Sequence, residues 1–501
     1  MPATTVRRRV LTACLLLGAA MPACRAQDVP AEPAPDAMAV QPDPREYSTR
    51  ADSDLMSQGN PRRFAGAGIS WLGLVQGAGA PRPSTTYEIV DIFATLQIMN
   101  VFYVRAVSLG ITAGCTECLV PAPGQINPAA LSHFDQVLMR ARDAGVKIVI
   151  PLAGALTGCT SDDAPDPIAG TACVFARWHH QDATAFYTDP AIRADFAAMV
   201  SKLLNHLNPL TGLTYKDDPV IMAWENCDGC GTGIDPKILA DWTEFLGHTI
   251  KQIDTHHLYE NGAFAGRLGK QPGAVATGLV ALPSVDIVGD RVLPGIDAAG
   301  VGLADAADQV TNTKRIYMID SYGWTPAQWP TPQAFENFLD GIVKNRSIAA
   351  AFVSDMSGHA DTGGYLPAGP QGASLYFPGA PTPAAPADAT QARARAVRRF
   401  AFHMTDNLAT PFSYVGRPEI ISVTHGKIVW RGIAGATTYS IARSTDVTQG
   451  GSWVTFCDQC VTDAAPFYQD PQPPSGPVWY RMQPFNANGH SGMYSAPVRS
   501  K

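Results

Sequence analysis

A chain of 501 residues has room for one large domain and a small one, and its 46% hydrophobic content and mean hydropathy of −0.02 exclude a disordered or fibrous protein. The net charge of −7 is modest and no basic stripe interrupts it, so nothing prepares the surface for nucleic acid.

Arg7, Arg8 and Arg9 precede the apolar run Val10 to Ala20, and Cys-Arg-Ala ends at Ala26. That order predicts an export signal over residues 1–26 rather than a transmembrane segment. The arginine pair before Val10 and Leu11 also admits a twin-arginine signal, and Cys24 a lipidated cysteine, although Met21 and Pro22 fit a lipobox poorly. Residues 27–62 are rich in Pro, Ala and Asp and are expected to form a flexible leader.

FAGAGISWLGL from Phe64 supplies a first strand, and Thr85 with Glu88 makes a capping box ahead of Ile89, Ile92, Phe93 and Leu96. Val101 to Leu109 is a second strand. Phe134, Val137, Leu138 and Ala141 form a helical stripe, followed at once by the strand run Val146 to Leu152. Asp189-Pro190, Asp235-Pro236 and Thr331-Pro332 each read as a cap followed by the first residue of a helix. Between two of these lies Val220 to Trp224, an apolar run suited to a strand covered on both faces. Strand and helix alternate over roughly 350 residues, which implies an α/β domain with a parallel sheet. After Arg417 the pattern changes to short β segments such as KIVW, TYSIARS and PVWYRMQPFN, a small β-sandwich over residues 414–501 that resembles a fibronectin type III domain. Trp430, Tyr439, Trp479 and Tyr480 are read as its core.

Loss of the signal would remove Cys14 and Cys24 from the ten cysteines and leave eight. Six form CxxC pairs, Cys115 with Cys118, Cys227 with Cys230 and Cys457 with Cys460, while Cys159 and Cys173 flank a loop. In an oxidising compartment an even count reads as four local disulfides. A tetrathiolate zinc site built from two CxxC pairs is the alternative.

YKDDPVIMAWE, Tyr215 to Glu225, resembles the fourth-strand signature of glycoside hydrolase family 5, especially its mannanase-like members, and the likeness extends from about Phe64 to Pro411. It implies a (β/α)8 TIM barrel over residues 63–413, with function at the C-terminal ends of the strands. It also implies two catalytic carboxyl groups about 5 to 5.5 Å apart. Here the sequence departs from the family. The acid/base position holds Gly229, with Asp228 at the preceding Asn position, and the nucleophile position holds Ser321, with Asp320 one residue earlier. The sixth-strand His and Tyr positions hold Arg291 and Leu293, and the position of the substrate-stacking Trp holds Ser354.

Arg105 matches the arginine that supports the family's nucleophile, an ordinary buried ion pair being the other reading, and Glu225 reads as a buried structural carboxylate in need of a partner. Alternation along the strand from Ser321 turns Asp320 away from the mouth unless the strand bulges. The expected function is binding of a β-linked polysaccharide without efficient hydrolysis, through Arg105, Trp224, Arg291, Trp324 and His359. One alternative is an active glycosidase using Asp228 with Asp320. A second is a structural envelope protein without a ligand. Asp228, Asp290, Asp320 and Asp355 at strand ends also admit a hard-cation site, or simply solvated loop carboxylates. We expect a secreted or periplasmic monomer with no cofactor.

Overall fold

The computed structural model describes residues 43, 46–75, 81–106, 113–154, 171–230, 233–263, 277–292, 301–367, 374–378, 387–411, 415–448, 451–465 and 467–501. Eight parallel strands close into a barrel: β1 (Phe64–Gly68), β2 (Tyr103–Arg105), β3 (Lys147–Pro151), β4 (Ile221–Glu225), β5 (Leu258–Asn261), β6 (Ile287–Arg291), β7 (Ile316–Tyr322) and β8 (Ala350–Val353). Each strand pairs with its sequence neighbour, and β8 pairs with β1. The expected (β/α)8 barrel is therefore present.

The outer layer includes α1 (Thr86–Ile98), α2 (Pro128–Ala144), α4 (Pro190–Leu204), α5 (Pro236–Ile253), α8 (Pro332–Lys344) and α9 (Ala387–Met404), with α3 (Thr171–Trp178), α6 (Thr277–Val280) and α7 (Val301–Thr311) between them. Their starts follow from local chemistry. Thr85 and Glu88 cap α1 reciprocally, and Asn127, Asp189, Asp235 and Thr331 each accept from a backbone N–H of the first turn ahead of a proline.

Strand alternation sorts the apolar side chains into two shells. Ile287, Ile316, Met318, Phe352 and Phe64 fill the inside of the barrel, while Trp224, Tyr317, Ile319 and Tyr322 pack outward against the helices.

The flexible leader expected over 27–62 is corrected over its last part. Ser48–Ala51, Asp54–Ser57 and Asn60–Pro61 form a three-stranded antiparallel sheet. Leu55 from this sheet is 1% exposed and joins the barrel's inner apolar cluster. Arg50 Nε donates to Asp286 Oδ1 at 3.1 Å, and Arg63 donates to the carbonyls of Ile342, Val343, Asn345 and Ile348, closing the end of α8. Composition signalled disorder, but buried Tyr47 and Leu55, the Tyr47 Oη bond to Asp217 O and the fixed acceptors of Arg50 tie the segment to the barrel. Residues 1–42, with the expected signal, lie outside the described residues.

The C-terminal region is all-β. β9 (Glu419–Thr424), β10 (Lys427–Arg431) and β13 (Tyr468–Gln469) form one antiparallel sheet, and β11 (Ala436–Ser444), β12 (Val454–Val461), β14 (Trp479–Asn486) and β15 (Val498–Arg499) form another in the order β12-β11-β14-β15. Trp430, Tyr439 and Tyr480 are core as expected, whereas Trp479 lies half-buried on the opposite face of β14.

Polar contacts fasten this domain to the barrel. His359 lies between Asp91 of α1 (Nδ1 to Oδ2, 2.8 Å) and Asp463 (Nε2 to Oδ2, 3.2 Å), Tyr87 Oη donates to Gly432 O at 2.8 Å, and Arg431 pairs with Asp361 at 2.7 Å. No helix among the described residues is long and apolar enough to cross a membrane.

If Leu55 plugs the barrel floor, Leu55→Ala is expected to cost about 2 to 5 kcal/mol, the usual range for such a truncation. Urea unfolding checks this, and an unchanged midpoint would show that the sheet does not stabilise the barrel.

Candidate active site

Four strands and one loop bring their polar residues together at the C-terminal end of the barrel. Arg105 ends β2, Glu225 ends β4, Glu260 lies in β5 and Asp320 in β7, and the loop after β4 carries Asp228. Arg105 donates from Nε to Glu225 Oε2 at 2.7 Å and from Nη2 to Glu225 Oε1 at 2.5 Å. The same Nη2 reaches Asp228 Oδ1 at 2.8 Å. Glu225 thus has the partner its burial requires, and Arg105 takes the ion-pair role that the sequence left open.

Two glycines make room for the carboxyls. A Cβ on Gly262 would stand 2.1 Å from Glu225 Oε1, and one on Gly289 would stand 1.7 Å from Asp320 Oδ2, so neither position tolerates a side chain without displacing an acid.

Asp320 corrects an expectation. It lies on the interior face with Ile316 and Met318, because alternation holds from the start of β7 and the register of the strand shifts between Ile319 and Tyr322. Counting back from Ser321 across that irregularity gave the wrong face. Ser321 itself is half-buried and pairs with Arg291.

One guanidinium cannot keep four crowded acids ionised. Burial pushes Glu225 up to about 8 against the pull of Arg105, and burial with the neighbouring Glu225 charge pushes Glu260 up to about 8. Burial and Glu260 raise Asp320 well above the carboxylate range. Apart from each other, the Glu260 and Asp320 carboxyls have no hydrogen-bond partner among the described residues, so they face one another as a pair whose ionisation is coupled. Asp228 moves the opposite way. Its burial is outweighed by the charge and hydrogen bond of Arg105 and the charge of Arg291, which hold it below the usual range. Glu225, Glu260 and Asp320 are each 0% exposed, whereas the Asp228 side chain is 33% exposed.

Asp228 is held by backbone on both sides, its own N–H donating to Ala153 O and that of Gly229 to Gly262 O. Gly229 has φ +68°, a left-handed conformation that disfavours any larger residue.

The structure thus gathers Arg105, Asp228, Arg291 and Asp320 in one electrostatic cluster, and separates the rest. Trp224 is fully buried on the outer side of β4 and donates from Nε1 to Asp254 Oδ2 at 2.7 Å, so it cannot meet a ligand in the mouth. Trp324 is likewise fully buried in the outer apolar core. His359 belongs to the joint with the C-terminal domain. Burial alone would lower its pKa, but Asp91 and Asp463 push it up to about 10, which gives it a structural charge rather than a ligand contact.

Asp290 accepts from Tyr317 Oη on the outer face, and Asp355 accepts from Ser70 N and Oγ. Among the described residues no group of three acids, histidines or cysteines could hold a metal, so the cation reading of these aspartates finds no support there. Cys115–Cys118, Cys227–Cys230 and Cys457–Cys460 are disulfides, which removes their zinc alternative. Cys173 is disulfide-bonded as well, while Cys159 and Leu293 lie outside the described residues. Sequence reasoning missed Glu260. Its signal was available in LYENG, an acid at the end of a short strand before a glycine, but strand five received no reading.

A closed (β/α)8 barrel with carboxyls and arginines at its C-terminal mouth is a scaffold that glycoside hydrolases share with many other enzymes. Comparison with known proteins narrows the likeness to family 5 and its mannanases. Residues 115–277 match the family model described as GH family 5 beta-mannosidase-like. "Putative mannan endo-1,4-beta-mannosidase 5" of Oryza sativa is 27% identical over 268 residues, covering 50% of each chain. "Putative mannan endo-1,4-beta-mannosidase 4" of Arabidopsis thaliana is 30% identical over 193 residues, covering 35% of this chain and 45% of its own. This chain therefore spans about half the length of the curated relatives it matches. Among solved structures, the endo-beta-1,4-mannanase from Thermotoga petrophila superposes with a TM-score of 0.56 at 16% identity, covering 88% of this chain and 98% of that one, which supports the fold.

The raised carboxyls make stability depend on pH. A group whose folded pKa is raised stabilises the fold fully below its unfolded value and loses that contribution as pH rises through the folded value. For Glu225 and Glu260 the loss runs from about 4.5 to about 8, at no more than about 1.4 kcal/mol per pH unit per group. Glu260→Gln is expected to flatten this decline. Thermal midpoints measured from pH 5 to 8 should converge on the variant's advantage at the alkaline end, and parallel curves would show that Glu260 is ionised throughout.

Proposed function

We propose that the protein is an exported member of the family 5 mannanase lineage that binds a β-linked mannan- or glucan-type polysaccharide at the barrel mouth and hydrolyses it poorly or not at all. The carrying observation is the state of Asp228. Among the described carboxyls of the site it is the one solvent reaches, and Arg105 and Arg291 keep it ionised, whereas a general acid needs a raised pKa. The carboxyls that are raised, Glu225, Glu260 and Asp320, are sealed inside the barrel. Gly229 and Ser321 supply no carboxyl. Since acid/base assistance alone contributes about 10² to 10⁴ in rate, turnover falls towards background when the acid and the nucleophile are both lost.

Asp228, Arg291 and Ser321 remain as polar groups able to meet sugar hydroxyls. The export signal and the short-loop disulfides support a secreted or periplasmic location. The two antiparallel sheets of residues 415–501 support a fibronectin type III-like reading of the tail.

A second reading has one observation in its favour. Asp320 is interior and raised well above the carboxylate range by burial and Glu260, and Arg105 links it electrostatically to Asp228, so a breathing motion that exposed it would bring a raised carboxyl beside a lowered one.

Purified protein incubated with mannan, glucomannan and β-glucan separates these readings when reducing ends and bound fraction are measured independently. Binding with background hydrolysis is expected, weakened about tenfold by Asp228→Asn or Arg291→Gln if each removes a charge-assisted hydrogen bond. Robust hydrolysis abolished by Asp228→Ala or Asp320→Asn would establish the rewired enzyme. Absence of both binding and cleavage would favour a structural role.

A further inference from the structure

The C-terminal domain carries a surface that the barrel site does not explain. Alternation along β14 sends Tyr480 and Met482 into the core and leaves Trp479, Arg481, Gln483 and Phe485 half-buried on the opposite face of the sheet. Trp479 pairs across the ladder with Arg499 of β15. The Arg481 guanidinium lies over two rings, 4.2 Å from the centroid of Trp453 and 3.8 Å from that of Tyr494, and Arg499 lies 5.5 Å from the Trp479 ring. Flat aromatic rings and guanidinium planes therefore alternate across one sheet face.

The charges on this face are uncompensated. Among the described residues neither Arg481 nor Arg499 has a carboxylate within ion-pair distance, whereas Arg443 and Arg431, elsewhere in the same domain, are both paired with acids. Arg481 Nε is buried and has no hydrogen-bond partner among the described residues. Strand pairing places Asp458 on the same face, but its carboxylate is engaged by Ser440 Oγ at 2.7 Å. A chain with a net charge of −7 thus presents two unpaired guanidinium groups held in place by aromatic rings.

We propose that this face binds an acidic polysaccharide, with sugar rings laid against Trp453, Trp479 and Tyr494 and carboxylates accepting from Arg481 and Arg499. Three properties select that ligand. The half-buried aromatics offer flat apolar faces that also tolerate water, which suits the C–H faces of sugar rings. Arginine forks match carboxylates in a bidentate geometry, which a neutral glycan does not use. Alternate residues on a strand recur at about 7 Å, on the scale of a sugar ring, so a repeating acidic chain meets repeated contacts. The face belongs to the β domain, and its ligand is independent of whatever the barrel mouth binds.

The test uses the full chain in titrations with polygalacturonate, with its fully methyl-esterified form, and with a single-stranded oligonucleotide. Binding of polygalacturonate that weakens with salt is expected, together with about tenfold weaker binding in Arg499→Gln and in Trp479→Ala, the size of one lost charge-assisted or stacking contact. Arg499 is exposed, so its substitution leaves the core intact, and the thermal midpoint of each variant confirms folding. An excess of neutral mannan oligosaccharide should not displace the acidic chain. The proposal is overturned if polygalacturonate does not bind, if the esterified form binds equally, if the oligonucleotide binds more tightly, if mannan oligosaccharide competes, or if folded variants bind as the wild type does.

Discussion

Among the described residues Arg105 is the guanidinium enclosed by the barrel's acidic end, and it arranges what surrounds it. Its fork holds Glu225 at two points and Asp228 at a third, so one side chain at the end of β2 fixes an acid at the end of β4 and another in the loop beyond. Removing it would leave buried carboxyls without a counter-charge, a much larger penalty than the loss of a surface ion pair. Because its one charge faces four acids, it does not offset burial everywhere: Asp228 is held below the usual carboxylate range, while Glu225, Glu260 and Asp320 are raised above it. The distribution of charge in the site follows from that ratio.

The same arrangement separates accessibility from proton retention at the polar mouth. An acid catalyst must keep its proton near neutral pH and yet reach the substrate. In this barrel those two requirements are divided between different residues. Asp228 is accessible but held below the usual carboxylate range, and Glu260 and Asp320 are raised above it but enclosed. The left-handed turn at Gly229 sits inside the loop closed by Cys227 and Cys230 and is held by hydrogen bonds to β3 and β5 flanks. The conformation of this loop suits glycine, and a glutamate placed there would meet a strained backbone.

At the other end of α1 a second buried charge has a different purpose. His359 is kept protonated by Asp91 from the barrel and by Asp463, which also accepts from Trp430 Nε1 and Tyr439 Oη in the β domain. A cation shared between two domains fixes their orientation, because neither carboxylate is satisfied if they separate. The β domain is thus held rigidly against the barrel through its own core, while the outer face of its four-stranded sheet remains available.

Much of the architecture was legible from short-range patterns. Cap-proline starts at Asp189, Asp235 and Thr331, the apolar runs of strands, and the CxxC spacings each describe local chemistry that the tertiary structure had no reason to overrule. The absence of a carboxyl at Gly229 and Ser321 was equally plain, since a missing side chain cannot be supplied by folding. The facing of side chains was decided only in three dimensions. Trp224, Trp324 and His359 are polar-tipped residues near strand ends, and sequence alone could not distinguish the barrel mouth from the helix-packed outer side or the domain joint. Asp320 turned inward because β7 shifts register beyond it, and the tail's Trp479 turned outward because β14 alternates from Tyr480. Glu260 entered the site only through the closure of the barrel, which places β5 beside β4 and across from Asp320, a proximity between residues 60 positions apart that no local pattern encodes.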